Sequence, residues 1–171
     1  MDYKKLIPDF SVIAKTDWAK PHIDTKDKTW LILAGAALLM VIFVFLPWQT
    51  LTVGKVSSST LGVATWYGIL GLLSALVAVY GILYKHIQFV FCGAALAAVL
   101  GLMGMFLTTS CAYEGTTLTA DQVKEFVKKG IDKEMGETVK ASISHIGAIL
   151  FLLVSLALAA VSFLQIKKEN E

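Results

Sequence analysis

Three histidines, two cysteines and thirteen carboxylates are the residues of this 171-residue chain best suited to hold a metal, attack a substrate or relay protons. Their spacing assembles none of those sites. His22, His86 and His145 are scattered, and none is a near neighbour of Cys92 or Cys111, so no zinc-ligand pattern exists. There is no Gly-x-Ser-x-Gly elbow, His-Glu-x-x-His helix or phosphate-binding loop. Glu114, Asp121, Glu125, Asp132, Glu134 and Glu137 are interleaved with lysines. Asp121–Glu125 and Glu125–Lys129, each at i,i+4, read as an ordinary solvated helix surface. On one helix Cys92 and Cys111 would stand about 28 Å apart, too far to bridge. Cys111 follows Thr108-Thr109-Ser110, but this internal segment lacks the aliphatic residue of a lipoprotein box. The expectation is a non-enzyme with no metal and no cofactor.

The elements that would have to position such residues are apolar. The chain is 56% hydrophobic, with a mean hydropathy of +0.69, above the roughly 45–50% apolar content of soluble domains. All fifteen basic residues are lysines and the net charge is +2, which excludes a nucleic-acid partner on charge and on the missing arginine fork. Four apolar runs, at about 30–48, 63–84, 87–108 and 146–166, each approach the twenty residues needed to cross a bilayer. Interfacial anchors are expected at Trp30, Trp48, Trp66, Tyr67 and Tyr84. The N-terminus carries no secretory signal, because the first apolar run starts only near Trp30 and has no small-x-small cleavage site. The predicted fold is therefore all-α, a four-helix transmembrane bundle over 30–166.

The flanking segments are polar. Residues 1–29 hold six lysines and five aspartates. Phe10, Ile13 and Trp18 recur there near helical spacing after Pro8, suggesting a short amphipathic docking segment on a membrane surface or a partner. Residues 49–62, rich in Thr, Val and Ser around Gly54-Lys55, read as a hairpin-like loop that would be marginal with nothing to pack on. In the loop 109–144, a capping box at Thr119–Gln122 precedes Val123, Phe126 and Val127, predicting an amphipathic helix near 120–129. Residues 167–171 form a tail. Counting lysines near the run ends gives seven on the side of both ends of the sequence and three on the other, which places that side in the cytoplasm. His86 and His145 then close runs on opposite sides, as ordinary boundary residues.

None of the four runs contains Asp, Glu, Lys, Arg or His. Proton relays, ion paths and voltage sensors rely on such groups within the membrane. What the runs do contain is small residues at helical spacing: Gly68, Gly71, Ala75 and Ala78; Gly93, Ala97 and Gly101; Ser155 and Ala159. Such faces let membrane helices approach closely, inside this bundle or against a partner subunit.

Phe45-Leu46-Pro47-Trp48, a Thr/Val/Ser loop and Trp66-Tyr67-Gly68 opening the next run resemble the layout of small bacterial four-span inner-membrane proteins of unassigned function, over about residues 30–84. That resemblance implies a bacterial cytoplasmic-membrane setting. The functional expectation is a non-catalytic accessory or scaffolding subunit of an envelope complex, with the lipid bilayer and a membrane-protein subunit as partners. The competing expectations are an oligomeric neutral-solute channel using Ser74, Tyr80 and Ser155, and a lipid-acting enzyme using Glu114 or Asp121.

Overall fold

The structure, a computed structural model, describes residues 6–17, 27–53, 56–107, 111–113, 116–118, 122, 125 and 141–169. In chain order the elements are α1 (Ser11–Lys15), α2 (Lys28–Val44), β1 (Pro47–Val53), β2 (Val56–Leu61), a 3₁₀ turn (Gly62–Ala64), α3 (Trp66–Leu83), α4 (Ile87–Phe106), β3 (Cys111–Tyr113), β4 (Thr116–Leu118), β5 (Ala141–Ser144) and α5 (Ile146–Glu169). The molecule is mostly helical. Three helices, α3, α4 and α5, are long and apolar enough to cross a membrane; α2 is apolar but shorter, at 17 residues.

Each of these four helices packs on two others, α2 on α3 and α5, and α4 on α3 and α5. On α2 the buried side chains are Leu33, Ala37, Met40 and Val44, a 4-3-4 spacing that forms one stripe. The opposite face of α2 carries exposed Leu31, Ile32, Leu38, Leu39 and Ile42. On α3, Gly68, Gly71, Ala75 and Ala78 face inward and Ile69, Leu73 and Leu76 face outward. Small residues of α3 thus face the neighbouring helices and bulky apolar ones face outward.

Helix starts and stops follow local chemistry. The Asp27 carboxylate caps α2 by accepting from the Thr29 amide at 2.9 Å. Thr65 caps α3: its hydroxyl accepts from the Gly68 amide at 3.1 Å and donates to the Gly62 carbonyl at 2.7 Å. The first apolar run was expected to be helical to Trp48, but α2 ends at Val44. Pro47 has no amide hydrogen to continue the ladder and pushes the preceding Leu46 out of helical geometry, so Pro47 opens β1 instead. The remaining boundaries shift less: α3 begins at Trp66 after the 3₁₀ turn, α4 stops at Phe106, and α5 runs on through Lys167 and Lys168.

The hairpin expected over 49–62 is present as β1 and β2, with Val53 opposite Val56. Its support was not expected. β5 pairs antiparallel with the other edge of β1, Thr50 opposite Ser144 and Val53 opposite Ala141, giving a three-stranded sheet in the order β2-β1-β5. β3 and β4 form a separate two-stranded hairpin. Of the helix expected near 120–129, Gln122 and Glu125 are helical and exposed; Val123, Phe126 and Val127 lie outside the described residues.

Candidate functional site

Polar and aromatic side chains concentrate at the two ends of the bundle. At the sheet end, the strand that starts at Pro47 carries Trp48 back under the sheet, where it is fully buried. The indole packs on Tyr67, with centroids 5.8 Å apart and planes 24° apart, and on Phe151 at 5.0 Å. It fits because glycines surround it. A Cβ at Gly104 would lie 2.6 Å from indole Cε3, one at Gly147 would lie 3.1 Å from Cδ1, and one at Gly62 would overlap Nε1. Gly71 adds an ordinary contact, at 3.5 Å from Cη2. The indole Nε1 donates to the Phe43 carbonyl at 2.9 Å, taking up a carbonyl of the last helical turn of α2.

Beside the indole lies a buried polar clamp. Gln49 Nε2 donates to the Leu107 carbonyl just past α4 and to the Tyr67 hydroxyl at 3.4 Å. The Tyr67 hydroxyl donates to the same Leu107 carbonyl at 3.3 Å. Gln49 is 1% exposed, so these bonds replace the hydration it gives up. An amide, a phenol and an indole arranged this way tie β1, α3 and the end of α4 together; none is set up as a nucleophile.

At the opposite end, Tyr80, Tyr84, His86 and Phe89 cluster around the turn between α3 and α4. Tyr80 lies 5.0 Å from Tyr84 and 5.3 Å from Phe89, and His86 lies 6.1 Å from Phe89. The turn is a Schellman motif: the His86 amide donates to the Gly81 carbonyl at 2.7 Å, and Lys85 sits at φ 57°. Segment 6–17 lies across this end. Phe10 meets Phe89 edge-on at 5.7 Å, and the Thr16 and Tyr80 hydroxyls share a hydrogen bond of 2.8 Å.

The small-residue faces are all used within the chain. A Cβ on Gly93 would come 2.7 Å from the Ala78 nitrogen and the Ser74 carbonyl oxygen, and one on Gly101 would come 3.1 Å from Phe151. Ala97 and Ser155 are fully buried, and Ala159 packs against the core. The serine hydroxyls bond their own helices: Ser74 to the Leu70 carbonyl, Ser155 to Phe151 and Ser162 to Leu158, at 2.7–2.8 Å.

The expected interfacial anchors divide. Trp66 is exposed, and Trp30 and Tyr84 are half-buried. Trp48 and Tyr67 are not anchors at a boundary: both are fully buried in the aromatic slot, because the Pro47 turn and the flanking glycines direct them inward. Of the docking residues, Phe10 meets Phe89 and stays mostly exposed, Ile13 is half-buried, and Trp18 falls outside the described residues, as do Glu114 and Asp121. His86 and His145 stand at opposite ends of the bundle. Among the described residues no group of metal-ligating side chains comes together, and the buried His145 Nδ1 and Gln165 Oε1 have no hydrogen-bond partner. The clamp of Gln49, Tyr67 and Leu107 escaped sequence reasoning; the adjacency of Pro47 to a tryptophan was its faint signal. No protein-family model matches this chain, and neither a curated protein nor a solved structure matches it.

Proposed function

We propose that the chain is a four-span integral protein of a bacterial cytoplasmic membrane, with both ends of this sequence on the cytoplasmic side and the sheet outside. It serves as a non-catalytic accessory or scaffolding subunit of a larger envelope complex, such as a motor, secretion or transport assembly. The observation that carries this is the continuous apolar outer surface of the bundle. Leu, Ile and Val side chains line the outer faces of all four helices, while glycines, alanines and serines bring the helix backbones close around a core of Trp48, Tyr67, Phe151, Leu33 and Met40. Soluble monomers rarely expose so continuous an apolar surface, whereas lipid favours it and close helix approach replaces the hydrophobic drive inside.

The fourth crossing falls to α2. At 17 residues it rises about 26 Å, a few ångströms short of a typical hydrocarbon core. Half-buried Trp30 lies within those 17 residues, exposed Phe45 adds one apolar residue beyond them, and bilayer thinning covers the rest. A scaffolding role is supported by how the interior is occupied. The three core serine hydroxyls bond their own helical carbonyls, which leaves them poorly placed to line a solute path, and the clamp makes the sheet a fixed outer platform.

The test is isolation in mild detergent from the native membrane. A stoichiometric membrane-protein partner is expected to copurify. A chain that isolates alone, and whose loss is fully complemented by the isolated monomer in reconstituted membranes, would refute the scaffolding role.

A further inference from the structure

Segment 6–17 touches the bundle at three points near the α3–α4 turn. Near its start, the Cys92 thiol donates to the Leu6 carbonyl at 3.7 Å. In its middle, Phe10 packs on Phe89 and Pro8 is buried. At its end, Thr16 bonds Tyr80. Cys92 is five residues after Ile87 and Tyr80 four residues before Tyr84, so the two end contacts lie about 6–8 Å inward of the Lys85-His86 turn, and Phe89, two residues after Ile87, puts the middle one about 3 Å inward, at 1.5 Å per residue. In-plane helices settle about 5–10 Å deep, at the boundary between headgroups and acyl chains.

Although pinned, the segment leaves two large apolar side chains mostly exposed, Ile7 at 67% and Phe10 at 66%. Asp9, Ser11 and Lys15 are exposed as well, giving the segment a polar side. The apolar surface continues inward on the helices it crosses. Val77 lies three residues from Tyr80 and Leu96 four residues from Cys92, each one turn deeper and exposed. Between them, Leu70, Leu73, Ser74, Val77, Leu96 and Leu100 line an apolar groove of about 190 Å³.

We propose that residues 6–17 are an in-plane membrane anchor. Ile7 and Phe10 insert into the acyl-chain boundary of the cytoplasmic leaflet, and the groove between α3 and α4 receives the lipid chains beneath them. The occupant is lipid because the depth is that of the leaflet boundary and because the exposed surface is continuous with the outer faces of α3 and α4. This rests on the four-span reading.

The full chain, carrying Cys92→Ser and Cys111→Ser, is reconstituted in vesicles of phosphatidylethanolamine and phosphatidylglycerol. Single nitroxides are attached at Ile7→Cys, Phe10→Cys, Asp9→Cys, Lys15→Cys, Leu73→Cys and Leu96→Cys, and relaxation by oxygen is compared with relaxation by a water-soluble nickel chelate. Oxygen is expected to dominate at 7, 10, 73 and 96, and the chelate at 9 and 15, with the two groups separated by at least threefold in the accessibility ratio. Chelate access at 7 and 10 with oxygen dominance at 73 and 96 overturns the anchor and leaves the spans standing. Shielding of 7 and 10 from both reagents indicates a protein-covered face and also overturns it. Chelate access at 73 and 96 overturns the four-span reading itself.

Discussion

The indole Nε1 of Trp48 donates to the carbonyl of Phe43 across the break between α2 and β1. One side chain thereby closes the helix it follows and fills the slot left by glycines of the neighbouring segments. Removing it takes away a hydrogen bond and the largest buried volume at the sheet end together. Trp48→Ala is expected to destabilise the chain by about 3–5 kcal/mol and Trp48→Phe by less, since a ring still occupies the slot. Reversible unfolding in micelles by SDS titration, followed by circular dichroism, measures both.

Two glycines give opposite expectations. At Gly93 an added methyl meets the backbone of α3 at 2.7 Å, and backbone cannot swing aside as a flexible side chain can. Gly93→Ala should therefore lower stability by about 1–3 kcal/mol. At Gly35 an added methyl meets no atom within 4 Å. Gly35→Ala should leave stability unchanged or raise it, by up to about 1 kcal/mol of helix propensity. Equal losses at the two sites in the same titration would contradict the packing described.

How far the fold could be read from sequence depends on the range of each interaction. The apolar runs, the small faces of Gly68 to Ala78 and Gly93 to Gly101, and the β1–β2 hairpin were legible because each is set by residues a few positions apart. The inward turn of Trp48 was not, since an apolar residue beside Pro47 suits a membrane boundary equally well until Gly104 and Gly147 are brought beside it. β5 is four residues long and has no signature of its own; its pairing exists only once α4 has returned the chain to the sheet end. The clamp on Leu107 was hidden for the same reason, as Gln49, Tyr67 and Leu107 come from three separate segments.

Lys85 occupies the left-handed position of the Schellman turn at φ 57°. An L-residue there is disfavoured by about 1–2 kcal/mol, from which glycine is exempt. Lys85→Gly should accordingly raise the SDS concentration at the unfolding midpoint, by an amount equivalent to about 1 kcal/mol after glycine's extra unfolded entropy is subtracted. A lower midpoint would show that the lysine side chain matters more than the turn.

Hydrogen bonds from the Ser11 hydroxyl and amide hold the Asp9 carboxyl below its ordinary value of 3.8, with Lys15 adding to the effect and slight desolvation opposing it. A depressed folded value stabilises the docked segment above pH 3.8 and loses that contribution as pH falls through the folded value. Amide protection at Val12 and Ile13, relative to the bundle, should be level near neutrality and fall only in this acid range. Asp9→Asn should abolish the acid step.

Pairing of β5 with β1 joins strands separated by half the chain. During synthesis, β1 and β2 emerge early and then wait, one edge of β1 unsatisfied, while α3 and α4 are laid down. Only when Ala141–Ser144 arrives is that edge covered. β5 therefore closes the first hairpin late, after two helices have been laid down between them. A chain stalled between residues 61 and 141 leaves that edge of β1 open, so closure of the sheet waits on the segment that follows α4.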